Sequence, residues 1–179
     1  LSSDENFERR QFGIVDLEGR ATGFSGAGNR YAALAVQSEV RDEEIFFAVQ
    51  GNILESDAVV LEAVAAFLAE EGTVVDRVMA AMEAADVAGG DARCSCSTDP
   101  VPETEAGCTH RSAHVAYIAA AKPGDAVGSG HSDGDYSLFI DVDDENTLPS
   151  ENASPVATLR QRFDRWKGEG GLTLLGLGR

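Results

Sequence analysis

A chain of 179 residues with 43% hydrophobic content is long enough for one domain with its own core. No apolar stretch in it approaches the roughly 20 residues needed to cross a bilayer. Thirty-one acids against fourteen bases give a net charge of −17. A field of that sign repels nucleic-acid phosphates and anionic membranes, and it suits solvation in a salty or extracellular medium.

The polar run LSSDENFERR that begins at Leu1 is not expected to be a signal peptide. With no initiator Met, the sequence is expected to be a processed or partial chain. ERRQFGIVD alternates around Phe12 and Ile14 and predicts a strand, Asp16 to Gly19 a hairpin turn, and RATGFSG the returning strand. Residues 27–44 read as a surface excursion. IFFAVQGN predicts a short buried strand ending at Gly51.

Ser56 or Asp57 can cap a helix to about Glu71, with Val60, Val64, Phe67 and Leu68 on one face. Thr73 followed by Asp76 is a capping-box pattern, opening a helix that buries Val75, Val78, Met79 and Met82 and stops at Gly89-Gly90. Two further strands are expected at Ser112–Ala121 and Asp135–Val142. A third helix begins after Ser154 with Pro155 at its first position and buries Val156, Leu159, Phe163 and Trp166. LTLLGL in the Gly-rich tail, residues 168–179, is apolar enough to extend as a strand. Grouped strands and grouped helices argue for an α+β fold with antiparallel sheets.

Cys94, Cys96 and Cys108 sit in a polar, Pro-containing loop, RCSCSTDPVPETEAGCTH. In an oxidising compartment a Cys96–Cys108 disulfide would staple it, whereas Cys94 and Cys96 are too near each other for an easy bridge. Cys94 would then pair elsewhere or stay reduced. C-x-C followed by C-x-H (Cys94, Cys96, Cys108, His110) also has the ligand count of tetrahedral zinc, without a common spacing. Asp125, Asp133, Asp135, Asp141 and Asp143 offer hard oxygen ligands for calcium, or simply a solvated face, and no EF-hand spacing is present. No metal ligand is therefore assigned and no cofactor expected beyond calcium. Asn152-Ala153-Ser154 fits a glycosylation sequon that competes with the helix cap.

Gln50-Gly51-Asn52 ends a strand before a helix, where amides can face a cleft or hold a turn. Asp91 and Arg93 form either a carboxylate-binding fork or a structural salt bridge. Ser112 and His114 alternate on one strand face, as substrate contacts or as hydrogen-bonded sheet residues. These six are the candidate substrate-binding residues; no catalytic residue is assigned.

Taken in order, RRQFGIVD, RATGFSG, FFAVQGN, AGGDARCSCS, RSAHVAYIAAAKPGD, DGDYSLFIDV and SPVATLRQRFDRW resemble the family called domain of unknown function 1028. Its members are described as Ntn-hydrolases, and the CSCS loop resembles a secreted bacterial branch. The resemblance runs from about Arg9 to Trp166. It implies an αββα sandwich of antiparallel sheets flanked by helices and an amide-bond hydrolase activity. It also implies that residues 1–167 are the C-terminal two-thirds of one domain. In that reading the nucleophile lies in a segment before Leu1, because Ser2 and Ser3 are not free N-terminal nucleophiles.

The expectation is therefore a secreted or periplasmic Ntn-hydrolase-like protein acting on a small-molecule or peptide amide, with no nucleic-acid or membrane partner. The alternative is a non-catalytic extracellular subunit that associates through sheet edges and the tail LTLLGL, with a second polypeptide or with itself.

Overall fold

The computed structural model describes residues 3–126, 128 and 133–177. They fall into two compact units, Leu1–Cys94 and Ser95–Arg179.

In the first unit a single 3-10 turn, Phe7–Arg9, leads into β1 (Gln11–Val15) and β2 (Ala21–Ser25). These pair antiparallel, Phe12 opposite Phe24 and Ile14 opposite Thr22. Asp16 closes the expected turn, its backbone N–H donating to Arg20 O at 3.0 Å. Its carboxylate accepts from Arg20 N at 2.9 Å and Arg20 Nε at 2.6 Å. Those bonds to Arg20, backbone first and side chain second, hold the Asp16 carboxyl below its ordinary range.

β3 (Ala32–Val40) and β4 (Ile45–Leu54) form the second antiparallel pair. β3 lies inside the stretch that the sequence presents as a surface excursion. Its Ala-rich run has small side chains and no clear alternation, and pairing with β4 supplies what local signal does not. α1 (Ala58–Ala69) and α2 (Val74–Val87) follow. Thr73 and Asp76 make the reciprocal capping box, with Thr73 N donating to Asp76 Oδ2 at 3.0 Å and Asp76 N to Thr73 Oγ1 at 3.4 Å. Leu68, expected on the buried face, is 45% exposed; the buried positions of α1 are Val59, Val60, Ala63 and Phe67.

The period of two in β4 divides its side chains between two layers. Ile45, Phe47 and Val49 pack with α1 and α2 around Ala63, Phe67 and Ala81, the Phe47 and Phe67 rings 4.7 Å apart. The opposite face meets the β1–β2 hairpin. A Cβ at Gly13 would overlap the Gln50 side-chain amide, and one at Gly23 would overlap that of Gln37. Glycine at these two places lets the hairpin approach. The unit is thus layered helices, β3–β4, then β1–β2.

The second unit holds β5 (Ala116–Ala120) and β6 (Leu138–Val142), antiparallel, with α3 (Pro155–Gly168) packed on them. Ile118, Leu138, Val142, Leu159 and Phe163 are its buried apolar core. Both strands are shorter than the alternation suggests. Arg162 locks the return from β6 to α3: its Nε and Nη2 donate to Glu151 at 2.9 and 2.7 Å, Nη1 to Asp141 O at 2.7 Å, and Nη2 to Asn146 O at 2.7 Å. Hydrogen bonding to Arg162 pulls the Glu151 carboxyl below its usual value, and the same bond raises Arg162.

The tail differs from the expected strand. Gly171–Leu174 is a short helix, α4, following Gly170 in the left-handed region. Gly171 is buried against Trp166, and Lys122 Nζ donates to Leu174 O at 2.6 Å. Local turn bonds, such as Leu177 N to Leu172 O at 2.9 Å, satisfy this backbone within the segment itself. No helix is long and apolar enough to cross a membrane among the described residues.

Candidate functional site

The candidate residues lie in both units: Gln50, Asn52, Asp91 and Arg93 in the first, Ser112 and His114 in the second.

At the end of β4 the register slips. Leu34 faces Gly51 and Ala32 faces Leu54, so Asn52 and Ile53 together oppose Ala33. This is a β-bulge, and Ile53 sits in it at φ +57°. A β-branched residue in the left-handed region is strained, a conformation that costs on the order of 1–3 kcal/mol and clusters at functional sites. Two backbone bonds hold it there and a third fixes the residues after it. Ile53 N donates to Arg30 O at 3.2 Å, Ala92 N donates to Ile53 O at 2.9 Å, and Glu55 N donates to Gly90 O at 3.0 Å. Leu54 and Asp91 thereby become bridge partners, and the structure brings the Asn52 and Asp91–Arg93 motifs side by side.

Asp91 holds Arg93 from two sides: Oδ1 accepts from Arg93 N and Nε, both at 2.9 Å, and Oδ2 from Nη2 at 2.5 Å. That bond, then the charge of Asp91, raises the Arg93 guanidinium above its usual value. Arg93 is a fixed cation, 63% exposed, in a strongly acidic chain. Gln50 is exposed, with its amide against Gly13, while Asn52 is half-buried. Neither side-chain amide has a hydrogen-bond partner among the described residues.

In the second unit Ser112 and His114 precede β5 rather than lying along it. Arg111 is the reason. Its side chain is fully buried and spends donors on backbone carbonyls, Nη1 on Pro100 O at 2.6 Å and Nε on Ala113 O at 3.1 Å. The segment wraps around the guanidinium instead of joining the ladder, and Ser112 is buried. Arg111 Nη2 also binds Asp144 Oδ1 and lies 2.9 Å from His114 Nδ1, which is itself 2.8 Å from Asp144 Oδ2. A single ring nitrogen either donates to Asp144 or accepts from Arg111. A cavity of about 340 Å³ opens beside His114, bounded by Pro100, Val115 and Asp143 to Glu145. Sequence reasoning marks His114 but misses Arg111 and Asp144; the acidic run DVDDEN after an apolar strand was the available signal.

Cys96 and Cys108 form the expected disulfide, Cα atoms 5.6 Å apart, which removes two thiolates from the C-x-C, C-x-H set. Several aspartates of the acidic face are spent locally. Asp143 Oδ1 accepts from Glu145 N at 2.8 Å and Asn146 N at 2.7 Å. Asp125 accepts from Lys122 N and Ser137 Oγ, both at 2.9 Å, which hold its carboxyl below the ordinary range. No group of three or more His, Cys, Asp or Glu is placed to hold a metal ion among the described residues. Asn152 Oδ1 accepts from Ser154 N at 2.8 Å, so the sequon amide serves the entry to α3.

Small antiparallel sheets with helices packed on them define an α+β protein. The chain belongs to the family of unknown function DUF1028, which matches residues 1–99. A crystal structure of a DUF1028 protein from Silicibacter pomeroyi is similar, with a TM-score of 0.59 and 20% identity, over 93% of this chain and 56% of that one. Likeness at that identity speaks for the fold, and the chain spans little more than half the length of that relative. No curated protein matches the sequence.

Proposed function

We propose that the chain carries the substrate-recognising face of an Ntn-type amide-bond hydrolase working outside the cytoplasm. Asn52 and Arg93 hold a substrate that bears an amide next to a carboxylate. The observation that carries this reading is the bulge at Asn52 and Ile53, strained at Ile53, after which Leu54 pairs with Asp91, the residue that orients the Arg93 guanidinium. Layering of helices, sheet and sheet in the first unit supports half of an αββα sandwich. The Cys96–Cys108 disulfide supports an oxidising compartment.

Calorimetric titration of the full chain with N-acetyl amino acids tests the reading. Arg93→Gln is expected to weaken binding about 10- to 100-fold, the scale of a hydrogen bond to a charged group. Equal affinity for the carboxamide analogues, which carry no carboxylate, sinks it.

A second reading, association through sheet edges without catalysis, draws on β1 and the turn after it. Ile14 is 55% exposed, Val15 42% and Leu17 fully exposed. A concentration-dependent sedimentation coefficient that Ile14→Lys abolishes supports it; a monomer at all concentrations removes it.

A further inference from the structure

We draw no further inference here: the strongest candidate, the cavity beside His114 in the second unit, belongs to the candidate site already described, and its rim of Asp143, Asp144 and Glu145 is an acidic cluster with nothing else among the described residues to say what would fill it.

Discussion

The two units are held together by different physics. In Leu1–Cys94 the interior is made of layers: Phe47, Val60, Ala63, Phe67 and Met79 are buried between helices and sheet, and burial of apolar area does most of the stabilising, with one buried arginine, Arg77, bonding Phe67 O and Glu43. In Ser95–Arg179 an apolar core exists, but the long loops around it are organised by two arginines. Arg111 and Arg162 between them bind the backbone carbonyls of Pro100, Ala113, Asp141 and Asn146 and the carboxylates of Asp144 and Glu151. A layered core tolerates exchange among side chains of similar volume. A guanidinium that satisfies loop carbonyls has no substitute of the same shape, because only a planar fork reaches several acceptors at once.

The strongest way to break this contrast is Arg111→Met. It leaves Asp144 without its buried partner and should cost the second unit about 3–5 kcal/mol. Trp166, the sole tryptophan, reports that loss by fluorescence in a urea titration. Arg111→Lys should cost nearly as much, whereas Met79→Leu in the first unit should cost less than about 1.5 kcal/mol. If lysine restores stability, charge rather than fork geometry holds the loops.

The Glu151–Arg162 pair sharpens the comparison through pH. Glu151 has its carboxyl lowered in the folded state, so its contribution is present above the unfolded value near 4.5 and is lost as pH falls through the folded value. Acid unfolding followed by Trp166 fluorescence should therefore show a limb below about pH 4.5 that Glu151→Gln flattens, with a neutral-pH loss of about 1.5–3 kcal/mol. An unchanged acid limb in the variant would show that Glu151 is no part of it. The smallest effect belongs to the first unit: Thr73→Ala removes one half of the capping box and should cost about 1 kcal/mol. Faster exchange at the start of α2, with no change around α3, is the expected signature.

The features legible in the sequence are those written locally. The β1–β2 turn, the Thr73–Asp76 box, Pro155 at the start of α3 and the Cys96–Cys108 staple each depend on residues close in the chain. β3 was hidden because AALAVQSEV takes its strand character from β4. The Ile53 bulge was hidden because residues 90–92, far along the chain, fix it. Ser112 and His114 looked like neighbours on a strand face because alternation cannot register an arginine that draws the backbone around itself. Of the candidate site, Asp91 and Arg93 were visible as a motif, and their placement beside Asn52 only through pairing across the chain.

The loop closed by Cys96 and Cys108 bears on limited proteolysis. Glu103 and Glu105 are exposed inside it. A protease that cuts there divides the polypeptide, yet both fragments stay joined through the disulfide and migrate as one species without reductant. A cut before Cys96 or after Cys108 frees the fragments at once. Comparing reduced and unreduced digests therefore maps a nick to one side or the other of this covalent ring.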